Sequence, residues 1–322
     1  MKRMTFGLCL AAAACMMLSI MAAPAAAEYP EKPINILCWS KPGSSVDLMA
    51  RGIAKLAEKY VGQPMSVVTK AGGGGTVAMA HLLKQKPDGY TLLAATRSFA
   101  FQMAWAKTKM KPSDFALISR LIVEAPIFAV HANRPYDTWE KFVAAAKKNP
   151  NTIKVANSGS GMLHHTIWLR IKKAAGIETI DVPYSGGRPA ITSAMGGHDD
   201  AVVNNPSVMK TPIKEGKLKG LFTFGEKRID ALPDIPTLKE LGIDIVEYQW
   251  RGMMTLAGVP RDRIEFIARA LKKMTKEPEW IEFIKNRVWM HGYMRPDEFK
   301  PYVDQQIKEI RETLIGAGLI KK

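Results

Sequence analysis

Polar and small residues that could contact a ligand are concentrated in a short loop near the N-terminus. Residues 40–47 (SKPGSSVD) follow the apolar run 34–39 and combine a Pro-Gly turn, two adjacent serines and the acidic Asp47. Ser44 lies three positions before Asp47, which is the acidic variant of a helix-capping signature. A helix that begins here directs free backbone N–H groups and a partial positive charge at whatever lies above the loop. This chemistry favours an anion, although the same strand, turn and helix also occur in α/β proteins without a ligand.

Four further loops have a similar composition and also follow predicted strands. They are residues 96–98 (TRS), 157–161 (NSGSG), 184–187 (YSGG) and 204–205 (NN). In open α/β sheets, ligands bind at the carboxyl ends of the strands. Together the loops predict a polar site made mainly of backbone donors and hydroxyl groups.

Three arginines near strand or loop ends could hold a carboxylate through two parallel hydrogen bonds. Arg97 follows a predicted strand directly, Arg188 begins a helix after two glycines, and Arg251 precedes a strand. For each residue alone, a surface ion pair is an equally open interpretation. Their shared location favours ligand contact, most of all for Arg97. If Arg97 pairs with the ligand, its replacement by alanine should weaken binding, whereas unchanged affinity would remove it from the site.

Signatures of enzymes that use a nucleotide cofactor or an activated serine are weak or missing in the sequence. The tract 71–78 (AGGGGTVA) meets only the loose G-x-G-x-x-A form of a dinucleotide loop. The predicted strand that follows, residues 91–95, lacks the acidic residue that such a site needs. Ser45 and Ser160 both lie outside a G-x-S-x-G motif. We therefore expect a loop that begins a helix, and neither a cofactor site nor a nucleophile.

Adjacent pairs of histidine and aspartate also fit structural roles better than catalytic ones. His164 and His165 point in different directions on a helix, so they cannot chelate one ion as an i, i+4 pair would. A hydrogen bond to a loop is the commoner role for one of them. Asp199 and Asp200 follow a Gly-Gly turn and are typical of that turn. The sequence therefore predicts a protein that is not an enzyme and has no metal site.

The N-terminus has the pattern of a secretory signal peptide. Lys2 and Arg3 precede the apolar stretch 6–22, and three alanines before Glu28 predict cleavage after Ala27. A retained membrane anchor is a weaker interpretation because Pro24 and the alanines have the pattern of a processing site. We therefore expect an exported, periplasmic protein. Cleavage leaves Cys38 as the single cysteine, which cannot form an internal disulfide.

The charge of the chain is strongly positive, with a formal value of +16 that becomes +14 after removal of Lys2 and Arg3. Nucleic acid is not the expected partner, because the protein is exported and its aromatic residues do not alternate with basic ones as a stacking platform requires. The basic residues are spread along the chain. Small anionic solutes are the favoured partners, and a generally basic surface accounts for much of the charge.

The elements that must position these loops alternate between short β-like runs and helical patterns. Strands are predicted at residues 34–39, 65–68, 91–95, 115–123, 127–130, 153–156, 179–182, 201–203, 218–223 and 253–257. Helices are expected after the first two loops, near residues 138, 162, 188 and 207, and over 261–275, 279–286 and 296–316. This alternation predicts parallel sheets with crossover helices. Pro126 separates two consecutive strands and indicates a crossing between domains.

Seven segments in this order and spacing resemble one family. They are YPEKPINI, KPGSSVD, KPDGYTLLAAT, DVPYSGG, NNPSV, IKEGKLKGL and RIDALPDIPTLKELG. The chain resembles the Bug-type extracytoplasmic solute receptors, the substrate-binding proteins of tripartite tricarboxylate transporters. The resemblance implies an α/β periplasmic-binding-protein fold (type II), with two domains joined by two crossovers and a ligand cleft between them. Domain 1 would comprise residues 28–124 and 249–322, and domain 2 residues 125–248.

The resemblance also implies how a small-molecule carboxylate is held, and which residues hold it. Gly43, Ser45 and Asp47 match the family's first loop, Tyr184 and Gly186 match its second, and Gly161 and His165 match a glycine-loop motif. Taken together, the polar loops, the arginines and the resemblance give the full set of candidate contacts: Ser40, Lys41, Gly43, Ser44, Ser45, Asp47, Thr96, Arg97, Ser98, Ser160, Gly161, Tyr184, Ser185, Gly186, Arg188 and Asn204. The implied partners are the membrane subunits of a transporter, and a monomer is expected.

Departures from the family pattern bear on the choice of solute. Ser40, Ser44, Val46, Ser185 and Arg97 replace residue types that are commoner at these positions. Asn204 is neutral, so it offers no carboxylate to an ammonium group. These residues favour a carboxylate without an amine, such as a diacid or an aromatic acid. An exported enzyme acting on an anionic substrate, and a receptor that presents its ligand to a sensor protein, remain open alternatives.

Overall fold

The computed structural model describes residues 29–105 and 107–321 of the chain. The predicted signal peptide and its cleavage site lie outside the described residues. Within these residues, no helix is both long and apolar enough to cross a membrane.

The described chain alternates strands and helices along most of its length. The strands are β1 (Ile34–Cys38), β2 (Met65–Thr69), β3 (Thr91–Thr96), β4 (Phe115–Glu124), β5 (Ile127–His131), β6 (Lys154–Asn157), β7 (Ile180–Pro183), β8 (Ala201–Asn204), β9 (Leu218–Thr223), β10 (Gln249–Leu256) and β11 (Met290–Met294). The α-helices are α1 (Ser45–Val61), α2 (Thr76–Leu82), α3 (Arg97–Trp105), α4 (Trp139–Lys148), α5 (Leu163–Ala175), α6 (Gly187–Met195), α7 (Pro206–Lys214), α8 (Arg261–Met274), α9 (Pro278–Lys285) and α10 (Pro296–Gly316).

The first sheet has six strands in the order β11-β4-β10-β3-β1-β2. Strand β1 pairs in parallel with β2 and β3, whereas β10 runs antiparallel to β3 and β4. Ile34 and Ile36 belong to one buried apolar cluster and Leu37 to another. Because successive side chains of a strand point to opposite faces, the sheet has a core on each face.

The second sheet has five strands in the order β7-β6-β8-β5-β9. Strands β6, β7 and β8 are parallel, and β5 runs antiparallel to both of its neighbours. One face is filled by aromatic rings around Phe128, which stacks on Trp168 with ring centroids 4.7 Å apart. Smaller side chains, among them Ala129 and Ala190, fill the other face.

Each sheet takes its strands from its own part of the chain. Strands of the first sheet come from residues 34–124 and 249–294, and those of the second from residues 127–223. The predicted α/β class is therefore confirmed. The prediction of parallel sheets was wrong in part, because both sheets are mixed: β10 is antiparallel to β3 and β4, and β5 is antiparallel to β8 and β9. The exact domain boundaries predicted from the sequence stay a prediction.

Two elements of the structure were not predicted, and tertiary contacts explain both. Helix α3 follows β3 without an intervening loop, and nearly every residue of it is buried, so it lacks the polar face that reveals an amphipathic helix. Strand β11 contains Gly292, where a Cβ would lie 2.8 Å from a side-chain atom of Val123 in β4. This strand is formed by pairing with β4, and local propensity gives little sign of it.

Candidate functional site

A cavity of about 720 Å³ lies where the loops of the two sheets face each other. Residues of the loop after β1 and of the junction between β3 and α3 line one side of it, and residues that follow β6, β7 and β8 line the other. All five polar loops singled out in the sequence contribute to the wall. The site thus lies at the carboxyl ends of strands from both sheets, where α/β folds bind ligands.

Half of the sixteen candidate contacts line this cavity, and the other half do not. Those on the wall are Gly43, Ser44, Ser45, Thr96, Arg97, Ser98, Arg188 and Asn204. Those behind or beside it are Ser40, Lys41, Asp47, Ser160, Gly161, Tyr184, Ser185 and Gly186. Contact of any of these residues with a ligand stays a prediction.

The first loop is fixed by its own acidic residue. Ser44 caps helix α1, because its Oγ accepts the N–H of Asp47 at 3.3 Å. Asp47 Oδ2 accepts the N–H of Gly43 at 3.0 Å and a hydrogen bond from Arg51 Nε at 2.9 Å. The bond from Arg51 holds the pKa of the Asp47 carboxyl below its ordinary value. Asp47 therefore shapes the loop from behind, and Ser45 carries a hydroxyl on the cavity wall.

Tyr184 has a comparable supporting place on the other side of the cavity. Its hydroxyl lies 2.6 Å from Ser193 Oγ and 2.7 Å from Asp199 Oδ2. These contacts connect the loop after β7 to the end of helix α6 and to the turn before β8. Nearby, Asn204 Nδ2 donates to the carbonyl of Gly187 at 3.0 Å, which fixes the start of α6. Arg188 follows at this helix start and faces the cavity.

Both adjacent histidines hydrogen-bond the loop after β6, which confirms the expected structural role. His165 Nδ1 accepts the N–H of Gly161 at 2.8 Å. His164 contacts Ser158 Oγ through Nδ1 and lies 3.1 Å from Asn205 Oδ1 through Nε2. Burial lowers the pKa of His164 from 6.5 to about 4, so the ring is neutral near neutral pH. Ser158, His164 and Asn205 all line the cavity.

Two of the three arginines singled out in the sequence are held in buried ion pairs. Arg97 Nη1 lies 2.6 Å from Glu247 Oε2, and both side chains are only 4% exposed. Glu247 also contacts Arg170. Arg251 Nη2 lies 3.4 Å from Glu124 Oε2, and Arg251 does not line the cavity. Arg97 remains on the wall, but it already has a carboxylate partner within the protein, which it shares with Arg170.

Two cavity arginines have no such partner. Among the residues that the structure describes, neither Arg188 nor Arg287 forms an ion pair. Within residues 29–105 and 107–321, no aspartate or glutamate lines the cavity. The described part of the chain also contains no group of three metal-ligating side chains that could hold an ion. The electrostatic character of the cavity is therefore cationic.

The sequence reasoning missed one part of the wall. Asn286, Arg287 and Trp289 lie between α9 and β11 and contribute to it, as do the aromatic Trp39 and Phe101. The only local signal is the cluster of polar and aromatic residues NRVW at 286–289. It follows no predicted strand, so nothing in the sequence groups it with the other loops.

Two β-sheets flanked by helices, with polar loops from both meeting at one cavity, define a solute receptor with the periplasmic-binding-protein fold. The family of tripartite tricarboxylate transporter receptors, TctC, matches residues 49–317. The chain belongs to this family. Its receptors are periplasmic solute-binding proteins, which agrees with the predicted export; the cleavage site stays a prediction.

Curated relatives extend the match over nearly the whole chain. A UPF0065 protein in the gbd 5′ region of Cupriavidus necator is 29% identical, over 96% of each chain. The protein BugT of Bordetella pertussis is 26% identical, over 93% of this chain and 94% of its own. The predicted Bug-type receptor is thereby confirmed.

Solved structures have the same fold. A TctC solute-binding protein from Polaromonas, solved without ligand, matches with a TM-score of 0.79 and 28% identity, covering 89% of this chain and 99% of that one. A protein of R. palustris solved with adipate matches with a TM-score of 0.78 over 90% and 99% of the two chains. At 19% identity the second similarity establishes the fold alone.

Proposed function

We propose that this receptor binds a small carboxylate without an amino group and delivers it to the membrane subunits of a tripartite tricarboxylate transporter. The solute class comprises di- and tricarboxylates and aromatic acids. One observation carries the proposal: among the residues that the structure describes, arginines line the cavity and no acidic side chain does. An ammonium group would find no counter-charge there, whereas a carboxylate would find two arginines without an ion-pair partner.

Neutral donors on the wall support the same solute class. The N-terminus of α1 directs backbone N–H groups towards the cavity beside the Ser45 hydroxyl. Thr96 and Ser98 add hydroxyls on the same side, and Ser158 and Asn205 add polar groups on the other. A carboxylate between the two sides would receive charge-assisted hydrogen bonds from both.

Closure of two domains around the solute is part of this proposal. Domain 1 would comprise residues 28–124 and 249–322, and domain 2 residues 125–248. The strand order supports this division, because each sheet draws its strands from one of the two sets. A hinge motion at the two crossovers would bury the solute, and the membrane partner would recognise the closed form.

Binding without turnover is the favoured activity. Ser158 and His164 are in contact, but burial lowers the pKa of the histidine to about 4, which makes it a weak general base near neutral pH. Incubation with candidate acids should therefore release no product. A receptor that presents its ligand to a sensor protein would have the same cavity, and membrane-subunit genes beside this gene would favour transport. We expect a monomer.

Thermal unfolding of the mature chain against a panel of solutes tests the proposal. The panel contains mono-, di- and tricarboxylates, aromatic acids, amino acids and phosphate at one ionic strength. A specific carboxylate at about one hundred times its dissociation constant should add about 2.7 kcal/mol to the free energy of unfolding. Stabilisation by amino acids or phosphate, and by no carboxylate, would contradict the proposed solute class.

A pair of serine variants provides the control. Ser45→Ala removes a hydroxyl from the cavity wall at a helical position where alanine is well tolerated. Ser66→Ala removes an exposed hydroxyl from β2, away from the cavity. We expect the first variant to weaken carboxylate binding and the second to leave it unchanged.

A further inference from the structure

The turn that ends helix α9 forms part of the cavity wall and lies outside the five polar loops. Asn286, Arg287 and Trp289 of this turn all line the cavity. They belong to the same part of the chain as the first sheet, since the turn leads directly into β11. The proposed function uses Arg287 only as part of the cationic wall and does not say which group of the solute this turn binds.

The backbone of this turn is held in an unfavourable conformation. The N–H of Trp289 donates to the carbonyl of Ile284 at 2.9 Å and that of Val288 to Lys285 at 3.0 Å, which is the Schellman pattern that ends many helices. The residue with positive φ in this pattern is usually glycine, but here it is Val288, with φ of 58°. A β-branched residue in this region is strained, and such strain collects at ligand-binding sites.

Contacts on both sides keep the turn in place. Val288 packs against the apolar cluster of the second sheet that includes Ile191 and Met209. Trp289 is buried in the cluster of the first sheet. The turn therefore lies between the two sheets, with its polar side chains directed at the space that both enclose.

The Arg287 guanidinium is fixed in orientation but not neutralised. Its Cζ lies 3.9 Å from the centroid of the Phe283 ring, and its Nη1 donates to the Phe283 carbonyl at 2.9 Å. Its Nε is buried without a hydrogen-bond partner. Among the described residues no carboxylate pairs with it. A guanidinium held in this way loses little conformational entropy when it binds an anion.

The balance of charge across the cavity calls for a second negative charge on the solute. Arg97 is already bonded to Glu247, a carboxylate that it shares with Arg170. Arg188 on the second-sheet side and Arg287 on the first-sheet side are the wall arginines without a carboxylate partner among the described residues. A monocarboxylate would neutralise one of them. A solute with two ionised carboxylates would neutralise both.

We propose that Arg287 forms an additional anion subsite, which binds a second ionised carboxylate of the solute and thereby selects dicarboxylates over monocarboxylates. This inference rests on the proposed function, because it assumes that the cavity holds a carboxylate. It adds Arg287 as the residue that discriminates between dicarboxylates and monocarboxylates.

Calorimetric titration of the mature chain with paired solutes tests the subsite. The solutes are the straight-chain diacids succinate, glutarate, adipate and pimelate, each paired with its own monomethyl ester, which keeps the chain and removes one charge. The unaltered protein should bind at least one diacid ten or more times more tightly than its ester. Arg287→Gln should weaken binding of that diacid about tenfold to a hundredfold and leave binding of the ester unchanged.

Two further variants separate charge recognition from a structural role. Arg287→Lys keeps the charge and should restore part of the diacid preference. Arg263 also stacks on an aromatic ring, that of Tyr29, and donates to a backbone carbonyl, that of Asp88, but lies away from the cavity. Arg263→Gln should leave the diacid preference unchanged. Thermal unfolding without ligand verifies that each variant is folded.

The possible failures are distinguishable. If Arg287→Gln binds the diacid as tightly as the unaltered protein, or loses affinity equally for diacid and ester, the subsite is overturned while the proposed function stands. If the unaltered protein prefers the ester, the subsite is also overturned. If no carboxylate binds the unaltered protein, the proposed function fails and the subsite with it.

Discussion

The arginines of the cavity wall differ in whether a carboxylate already neutralises them. Arg97 was the strongest ligand contact predicted from the sequence, yet its guanidinium is bonded to the buried Glu247. Arg170 contacts the second oxygen of the same carboxylate. One acidic residue therefore connects α3, α5 and the segment before β10. This arrangement makes Glu247 more important for stability than for ligand contact.

Replacement of Glu247 by glutamine should destabilise the protein. The variant keeps the shape of the side chain but leaves Arg97 buried without a counter-charge, and Arg170 partly so. We expect the free energy of unfolding to fall by about 3 kcal/mol, as measured by denaturant titration. Glu240→Gln, which removes an exposed pair with Arg228, should have a much smaller effect. Equal losses in the two variants would contradict a structural role for the buried pair.

His164 should make the stability of the protein depend on pH. Burial lowers its pKa from 6.5 to about 4, so between these values the unfolded chain binds a proton that the folded chain does not. The contribution of neutral His164 to the free energy of unfolding is fully present above about pH 6.5. It should fall as the pH drops towards 4. The change from 6.5 to about 4 corresponds to about 3 kcal/mol across that window.

Denaturant unfolding at several pH values between 4 and 7 measures this dependence. His164→Gln should remove most of it. His291 contributes in the same direction, because burial also lowers its pKa, so a smaller dependence should persist in the variant. An unchanged pH dependence in His164→Gln would show that the ring is not buried in its neutral form.

At the scale of the element, the turn after α9 shows how a helix end can be specified by distant contacts. Glycine normally occupies the position of Val288, and the valine is retained where its side chain packs against the second sheet. Local preference and tertiary packing therefore oppose each other at this residue. Substitution can separate the two effects.

Glycine at position 288 should be more stable than alanine, the reverse of the usual order in helices. Both substitutions remove the valine packing, but only glycine relieves the left-handed strain, by about 1 kcal/mol. Val143, a half-buried residue inside α4, provides the control, because there alanine should be more stable than glycine. Thermal unfolding of the four variants shows whether the glycine or the alanine variant is the more stable at each of the two positions. The same order at both positions would exclude backbone strain at Val288.

At the scale of the whole molecule, the two sheets approach each other closely at one glycine. A Cβ on Gly161, in the loop after β6, would lie 2.4 Å from the Trp105 ring and 3.2 Å from the Phe101 ring. Both aromatic residues belong to α3, which follows β3 of the first sheet. The observed arrangement of the two sides around the cavity therefore requires a residue without a side chain here.

Gly161→Ala should weaken solute binding because the two sides can no longer come together fully. Gly176→Ala is a matched control: both glycines have positive φ, 71° and 62°, but a Cβ on Gly176 would have no neighbour within 4 Å. The backbone penalty is thus shared, and the clash is specific to Gly161. We expect at least about tenfold weaker binding of the identified carboxylate to Gly161→Ala than to Gly176→Ala. Small-angle scattering with saturating ligand should also give a larger radius of gyration for Gly161→Ala, whereas equal affinities would contradict the closure argument.

Features of this protein that depend on neighbouring residues were determined by the sequence itself. The cap at Ser44, the alternation of strands and helices, and the polar loops after the strands all follow from local spacing, because capping and amphipathic packing act over one or two turns. The family resemblance followed from motifs of the same kind.

The tertiary structure alone decided which polar groups remain available to a ligand. Arg97 is matched by a carboxylate 150 residues away, and Arg287 reaches the cavity through a turn that leads into an unpredicted strand. Long-range pairing of charges and strands leaves no local pattern in the sequence, because it depends on which distant segments folding brings together.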